Sequence, residues 1–360
     1  MEPTRLEVSA AAGSYAVVIG PGTLATLPEL LDQSALGPRR VIVSSPLVWK
    51  LHHDALDDVA TEPDPILVPD GERFKNLATV GRVYEALIEM RADRSTVVVA
   101  VGGGVIGDMV GFAAATYLRG VRLVHVPTTV MAQVDSAVGG KVGVNHALGK
   151  NLIGAFHAPK LVVADPAVLA TLPRREFRAG LYEVIKYGVI ASPALFDRVE
   201  GTLAALFARD AGVITTVVSE SCRIKAGVVS ADERESGPRR VLNFGHTVGH
   251  ALEAVTKYRR FRHGEAVAYG MLAALALGTA RGVTPTDARS RPDALSVSAT
   301  FDVDNDGLVR VLYDIESGLP IIDIDDLVIR RIANSDGNDG ENPTLRTDLA
   351  ITAYRRGAAP

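Results

Sequence analysis

The sequence predicts an α/β fold in its first half, a doubly wound domain on a parallel sheet, followed by a mainly α-helical second half. Continuous apolar runs, typical of strands covered on both faces, occur at residues 41–43, 96–101, 121–126 and 161–164. Helical patterns such as that of residues 77–90 separate these runs, which is the order of βαβ units. The strand pattern fades after about residue 175.

The second half has the periodicity of helices in four segments, at residues 175–189, 202–229, 241–255 and 265–280. A chain of 360 residues exceeds the usual size of a single hydrophobic core. We therefore predict two domains, residues 1–174 and residues 175–360, with a hinge at Leu172-Pro173.

Composition limits the possible partners and location. The net charge of -4, without a long basic run, argues against a general nucleic-acid binder. The one cysteine, Cys222, excludes an intramolecular disulfide and fits a reducing compartment. Residues 1–5 lack the pattern of a signal peptide, and no apolar stretch predicts a membrane span. We therefore expect a cytoplasmic protein with neither nucleic-acid nor membrane partners.

A glycine-rich turn at residues 102–108 follows one predicted strand and precedes an apolar helix. Backbone N–H groups at such a helix N-terminus can approach a pyrophosphate, which favours a phosphate-bearing cofactor. The spacing is not G-x-G-x-x-G, and a tight strand-to-helix turn is the alternative. Thr128 and Thr129 end the next strand at the same sheet edge, and Glu72 could accept ribose hydroxyls or lie in a solvated turn.

Residues 133–151 combine glycines with charged and amide side chains, a composition that suits an anion such as phosphate. A surface loop with solvated lysines is the alternative. Apolar residues such as Val134 and Val144 indicate partial burial, and buried Lys and Asp need partners. The polar members are Asp135, Lys141, Asn145, His146, Lys150 and Asn151.

Histidines cluster in the second half. His246 and His250 lie one helical turn apart, and His263 follows shortly. Glu183 would complete a Glu-His-His set with His246 and His263, which fits Zn²⁺ with an open coordination position. Structural histidines, and an ordinary ion pair between Glu183 and Lys186 three residues apart, are the alternatives.

Several motifs taken together closely resemble the 3-dehydroquinate synthase family of sugar-phosphate cyclases, which is related in fold to metal-dependent alcohol dehydrogenases such as glycerol dehydrogenase. The resemblance covers about residues 66–280 and implies an NAD-binding α/β domain, a helical metal-binding domain and a homodimer. Its motifs stand, in order, at residues 102–108, 134–141, 149–151, 183–188, 243–250 and 263–265.

The resemblance also implies roles for individual residues. Glu183, His246 and His263 would bind the metal, Zn²⁺ or Co²⁺, and Arg119 would reach the substrate phosphate of a neighbouring subunit. The implied contacts with NAD are Glu72, Lys75, Gly103, Gly104, Val105, Asp108, Thr128, Thr129, Lys150, Thr171 and Leu172. The implied substrate residues are Asp135, Lys141, Asn151, Lys186, Lys225, Glu235, Arg239, Asn243 and His250.

The implied reaction converts 3-deoxy-D-arabino-heptulosonate 7-phosphate to 3-dehydroquinate and inorganic phosphate. An alcohol is transiently oxidised to a ketone, which acidifies the adjacent C–H so that phosphate can be eliminated. Re-reduction, ring opening and an intramolecular aldol step follow, so NAD is recycled in each turnover. Lysine and arginine suit the carboxylate and phosphate, and His250 suits a proton shuttle.

The tail departs from the family pattern. Members usually carry an Asp-Lys-Lys segment near the C-terminus, whereas the nearest match here, residues 335–339, has no lysine, and none follows Lys257. The alternatives are therefore another sugar-phosphate cyclase acting on sedoheptulose 7-phosphate or an amino analogue, a polyol dehydrogenase, or a pseudoenzyme that retains NAD and metal binding.

Overall fold

The computed structural model describes residues 2–11, 13–61, 64–235, 237–256 and 258–280, with the backbone of three later strands at 293–304, 324–331 and 344–355. The chain divides into two compact units, Met1–Arg240 and Val241–Pro360. The functional division predicted at residue 174 stays a prediction, and the helices between Arg174 and Ala231 belong structurally to the first unit.

A seven-stranded sheet forms the centre of the first unit, in the order β1-β2-β9-β6-β5-β3-β4. Only the β1–β2 pairing within it is antiparallel. The four apolar runs of the sequence are β3, β5, β6 and β9, which confirms the parallel-sheet prediction. The strands are β1 Thr4–Val8, β2 Tyr15–Ile19, β3 Arg40–Ser44, β4 Ile66–Leu67, β5 Val97–Gly102, β6 Arg122–Pro127 and β9 Leu161–Ala164.

Helices cover both faces of this sheet because alternate strand residues enter two different cores. Val98 packs with side chains of α3 and α4 on one face, whereas its neighbours Val97 and Val99 pack with α1 on the other. The covering helices are α1 Leu27–Gln33, α2 Pro46–His52, α3 Leu77–Glu89 and α4 Gly104–Thr116. A two-stranded antiparallel hairpin, β7 Lys141–His146 and β8 Gly149–Phe156, packs beside α4.

Four more helices complete the first unit: α5 Arg174–Ala191, α6 Pro193–Gly201, α7 Leu203–Phe207 and α8 Ala211–Ala231. The sequence predicted one helix over residues 202–229, but the structure divides it. Arg209 has a φ of 63°, and the Asp210 side chain then accepts a hydrogen bond from the Val213 N–H at 2.9 Å. Asp210 is therefore the N-cap that starts α8, and this cap was overlooked in the sequence.

The second unit contains helices α9 His246–Val255 and α10 His263–Ala280. The backbones of α9 and α10 approach closely at glycines: a Cβ on Gly270 would lie 1.8 Å from the Gly245 carbonyl oxygen. The unit also contains three antiparallel strands in the order β10-β12-β11, namely β10 Asp293–Asp304, β11 Ile324–Arg331 and β12 Thr344–Arg355. The sequence analysis did not predict these strands, and the lysine-free segment 335–339 lies outside the described residues.

None of the helices in the described ranges is both long enough and apolar enough to span a bilayer.

Candidate active site

The glycine turn lies at the carboxyl edge of the central strands, where β5 leads directly into α4. A Cβ on Gly102 would lie 2.7 Å from the Ile106 Cβ, and one on Gly103 would lie 3.1 Å from Thr129 Cγ2. Any side chain larger than hydrogen at Gly102 or Gly103 would therefore fill the space in front of the N-terminus of α4. The parallel pairing of β5 with β6 brings Thr128 and Thr129 beside this turn, as the sequence predicted. Backbone amides at a helix N-terminus fit a pyrophosphate.

Lys75 joins residues from three elements. It is buried, and its Nζ donates to Asp108 Oδ2 at 2.5 Å and to Asn151 Oδ1 at 2.6 Å. Burial raises the pKa of Asp108, and the charge and hydrogen bond of Lys75 oppose that rise. The structure thus brings together two residues predicted for the cofactor, Lys75 and Asp108, and one predicted for the substrate, Asn151.

A second polar group adjoins Asn151. Asn145 Nδ2 donates to Glu72 Oε2 at 2.8 Å, and Lys150 Nζ lies 3.5 Å from Glu72 Oε1. The Asn151 N–H donates to Asn145 Oδ1, and Asn151 has a φ of 54°, a left-handed conformation that Asn tolerates well. Glu72 is therefore held by partners on the hairpin, which favours a defined position over the solvated turn left open by the sequence.

Asp135 is the centre of a buried network. It lies on the π-helical turn Ala132–Ser136, and its Oδ1 accepts from Lys225 Nζ at 2.5 Å and from the Tyr187 hydroxyl at 2.7 Å. Burial opposes ionisation of Asp135, but the charges of Lys225 and Lys186 outweigh it and lower the pKa of the carboxyl. Burial also lowers the pKa of Lys225, with Asp135 acting in the other direction. Asp135 is therefore held as a carboxylate.

Lys186 and Glu183 form an ion pair within α5, and both side chains are fully buried. This is the pair that the sequence left open as an alternative, but it lies in the interior and not on an exposed helix face. An ion pair at this depth needs further polar partners to offset desolvation, and Glu183 makes further interactions.

Lys141, Glu235 and Arg239 form a third group. Lys141 pairs with the Glu235 carboxylate, and the buried Arg239 donates to the Glu233 and Gly139 carbonyl oxygens. Partial burial of the half-exposed Lys141 side chain, with repulsion from Arg239 and Lys225, lowers its pKa to about 8. Because Lys225 acts on Lys141, this group is electrostatically continuous with the Asp135 network.

Three histidines converge in the second unit. His246 and His250 on α9 and His263 at the start of α10 place one ligand nitrogen each within 4.8 Å of the others. Zn–N bonds of about 2.0–2.1 Å would require nitrogens about 3.4 Å apart, so small side-chain adjustments suffice. Imidazole donors suit Zn²⁺ and Co²⁺. The sequence had assigned His250 to the substrate, and the structure groups it with the other two histidines.

The remaining predicted residues have their own settings. Arg119 lies exposed on the turn Tyr117–Arg119, with a φ of 66°. Thr171 Oγ1 lies 3.3 Å from His52 Nε2, and the Leu172 carbonyl oxygen accepts from Arg209. Val105 lies in the first turn of α4, and Asn243 ends the 3₁₀ helix Pro238–Asn243.

Two residues of these networks received no role from the sequence. Tyr187 was part of a quoted motif, and its position next to Lys186 gave no sign that its hydroxyl donates to Asp135. Glu253 is buried, and its Oε2 lies 2.9 Å from His263 Nδ1. Its spacing of seven residues from His246 and three from His250 could have shown that it shares their helix face.

The sheet with its glycine turn and lysine network in the first unit, and the histidine cluster in the second, are features of the sugar-phosphate cyclases. A solved 2-deoxy-scyllo-inosose synthase, in complex with carbaglucose-6-phosphate, NAD⁺ and Co²⁺, is similar with a TM-score of 0.71 and 29% identity, covering 79% of this chain and 77% of that one. The 2-epi-5-epi-valiolone synthase of Streptomyces hygroscopicus subsp. jinggangensis 5008, with NAD⁺ and Zn²⁺ bound, has a TM-score of 0.69 and 33% identity, covering 76% of each chain.

Family models narrow this class. Residues 65–179 match the 3-dehydroquinate synthase N-terminal model and residues 180–316 the C-terminal model. The curated 3-dehydroquinate synthase of Gloeobacter violaceus is 49% identical over 304 residues, 83% of this chain and 84% of the relative. That of Halorhodospira halophila is 51% identical over 282 residues, 78% and 79% of the two chains. The chain belongs to the 3-dehydroquinate synthase family.

A further match concerns the tail. Residues 278–355 match the family model described as type II secretion system (T2SS), protein M subtype b, and so overlap the end of the C-terminal match. Strands β10, β11 and β12 lie within residues 278–355. The lysine-free segment 335–339, where the sequence departs from the synthase pattern, therefore lies within the part of the chain that is similar to a second family.

Proposed function

We propose that this protein is a 3-dehydroquinate synthase that converts 3-deoxy-D-arabino-heptulosonate 7-phosphate to 3-dehydroquinate and phosphate. The observation that carries the proposal is the continuous set of cationic side chains, Lys225, Lys141 and Arg239, around the Asp135 carboxylate. A carboxylate- and phosphate-bearing substrate needs such cations, whereas a simple polyol does not. The identity of about half the residues with curated synthases supports the same reaction.

NAD and a divalent metal, Zn²⁺ or Co²⁺, would supply reversible hydride removal and polarisation of the reacting oxygen when bound. The amides of Gly103, Gly104 and Val105 would face the pyrophosphate. The carboxylates of Glu72 and Asp108 would accept cofactor hydroxyls. The other proposed cofactor contacts are Lys75, Thr128, Thr129, Lys150, Thr171 and Leu172.

The substrate residues divide by charge. Lys141, Lys186, Lys225 and Arg239 would hold the anionic groups, and Asp135 would accept a hydroxyl because its pKa is lowered and it stays ionised. Lys141 would act as a cation, because a pKa of about 8 leaves it mostly protonated at neutral pH and the neighbouring Glu235 carboxylate favours the charged form. The other proposed contacts are Asn151, Glu235, Asn243, His250 and, from a neighbouring subunit, Arg119.

The metal ligands are proposed as Glu183, His246 and His263, with His250 acting on the substrate. The variant His250→Ala tests this division. It should retain zinc while losing turnover, and loss of zinc together with turnover would instead assign the third ligand to His250. Replacement of His263 by alanine should remove both zinc and turnover in either case.

A phosphate-release assay with simultaneous detection of NADH tests the reaction itself. Phosphate release without net NADH supports the synthase, and stoichiometric NADH would indicate a polyol dehydrogenase. Bound NAD without turnover would indicate a pseudoenzyme. Sedoheptulose 7-phosphate assayed in parallel tests the cyclase alternative.

A homodimer is part of the proposal, because Arg119 is expected to serve a neighbouring site. The turn itself contains an exposed apolar residue, Leu118. Close to it, the Nε2 of His157, the residue after β8, lies 2.9 Å from the Val121 carbonyl oxygen. Leu152 and Phe156 on β8 are 64% and 51% exposed, an apolar strip suited to a second copy.

Mixing two inactive variants tests this arrangement. Arg119→Ala and Lys186→Ala homodimers should each be inactive, and re-association should restore about one quarter of wild-type turnover, because half the dimers then have one intact site. No recovery from demonstrably mixed dimers would place Arg119 in its own subunit's site. We also propose a cytoplasmic location, supported by the buried, unpaired Cys222, which cell fractionation would test.

A further inference from the structure

A buried glutamate lies beside the histidine cluster of the second unit. Glu253 is only 2% exposed, and its Oε2 lies 2.9 Å from His263 Nδ1. It lies on α9 with His246 and His250, at positions i, i+4 and i+7, so all three project from one helix face. The carboxylate and the three imidazoles thus form one group built by two helices.

The contact determines the tautomer of His263. An ionised Glu253 carboxylate can only accept, so a hydrogen bond at this distance places the proton on Nδ1. In the neutral ring, Nε2 is then the nitrogen whose lone pair can bind a metal. Histidine ligands commonly donate their second N–H to a carboxylate, which orients the ring and increases its basicity.

We propose that Glu253 is a positioning residue of the metal site, which fixes His263 in the Nδ1–H tautomer and directs Nε2 to the ion. The inference rests on the proposed metal dependence of this protein. Glu253 acts through His263 and is not itself a metal ligand.

The helix crossing explains why this contact can be rigid. Gly249 lies one turn before Glu253 on α9, and a Cβ there would lie 3.1 Å from the Val267 Cα on α10. Backbones that approach this closely limit relative sliding of the two helices. The Glu253–His263 contact spans the same two helices, so side-chain and backbone contacts constrain the ring together.

The test compares two isosteric changes. Glu253→Gln removes the charge beside His263, and Glu265→Gln neutralises another buried glutamate of the same unit, whose Oε2 accepts from the Arg262 N–H at 3.0 Å. Zinc affinity of the apoprotein is measured by competition with a chromogenic chelator, without substrate or NAD. We expect zinc affinity about 10–100-fold weaker in Glu253→Gln and close to wild type in Glu265→Gln.

Nitrogen-15 NMR of the histidine rings provides the readout that a purely structural role would not change. In the zinc-bound protein, His263 should be protonated at Nδ1 and ligated through Nε2, and Glu253→Gln should increase the population of the other tautomer in the apoprotein. Wild-type zinc affinity in Glu253→Gln, or ligation of His263 through Nδ1, would overturn the inference.

Failure of the proposed function can be distinguished from failure of the role proposed for Glu253. A wild-type protein that binds no zinc would refute the metal dependence itself, and one that binds zinc but releases no phosphate would refute the reaction while leaving Glu253 testable. Circular dichroism of each apoprotein checks the fold. The milder Glu253→Asp, which keeps the charge on a shorter side chain, should recover part of the lost affinity.

Discussion

The close crossing of α9 and α10 gives the sharpest test of how this chain positions its histidines. In Gly270→Ala, the new methyl carbon would lie 1.8 Å from the Gly245 carbonyl oxygen and 2.9 Å from the Gly249 nitrogen. Both atoms belong to backbone, so no side-chain rotation relieves the contact. Ordinary van der Waals contact begins at 3.4 Å, so the two backbones must separate by about 1.6 Å.

The separation has two measurable consequences. Overpacking of this kind costs about 1–3 kcal/mol in unfolding free energy, and contact between two backbones favours the upper end. The separation also moves His263 on α10 away from His246 and His250 on α9. Metal–ligand distances tolerate only about 0.2 Å, so zinc affinity should fall by more than about tenfold.

The assays are urea unfolding and zinc competition on Gly270→Ala, with Gly227→Ala on α8 as the matched control. A Cβ on Gly227 meets nothing within 4 Å. Replacing this exposed helical glycine by alanine should therefore raise the free energy of unfolding by about 0.5–1 kcal/mol and leave zinc affinity unchanged. Unchanged zinc affinity in a folded Gly270→Ala protein would refute the view that the glycine crossing sets the histidine geometry.

Three further predictions concern buried polar groups of the first unit. Burial, with a smaller contribution from a second histidine, lowers the pKa of His125 to about 4. Between about pH 6.5 and pH 4 the unfolded chain binds a proton that the folded chain does not, so the unfolding free energy should fall by about 3 kcal/mol as the pH falls. His125→Leu should lose this component of the pH dependence in urea titrations, and an unchanged slope would contradict it. Lys75→Met leaves the Asp108 carboxylate without its lysine and should lower the free energy of unfolding in urea by about 3–5 kcal/mol. Adding Asp108→Asn should recover part of that loss. Equal stability of the single and double variants would count against the ion pair. Tyr187→Phe removes a hydrogen bond to the Asp135 carboxylate and should lower the unfolding free energy by about 1.5–3 kcal/mol. A change below about 0.5 kcal/mol, the size expected of a surface substitution, would mean that the hydroxyl makes its hydrogen bond elsewhere.

The sequence predicted the sheet well because continuous valine runs such as that of β5 suit few other elements. It predicted the second unit less completely. Residues 293–304 alternate apolar and polar side chains, the pattern of a strand with one covered face, but the helical periodicity of the preceding segments dominates the second half of the sequence.

The candidate site shows the same division between local and distant information. The unusual polar composition of residues 133–151 identified Asp135 and Lys141, whereas Lys225 was identified only through the family resemblance. Their pairing could not be predicted, since Lys225 reaches Asp135 across 90 residues of sequence. Glu253 was missed for a different reason: its helical spacing from His250 was visible, but its contact with His263 depends on how two helices cross.

The position of Lys75 has a thermodynamic consequence. One ammonium group holds both Asp108, proposed for the cofactor, and Asn151, proposed for the substrate. A ligand that draws Lys75 towards one of these partners changes the energy of the interaction between Lys75 and the other partner. Cofactor and substrate affinities are then coupled, and the coupling is reciprocal: the factor by which bound NAD alters substrate affinity equals the factor by which substrate alters NAD affinity. A single buried lysine would in this way make the affinity for each ligand depend on whether the other is bound.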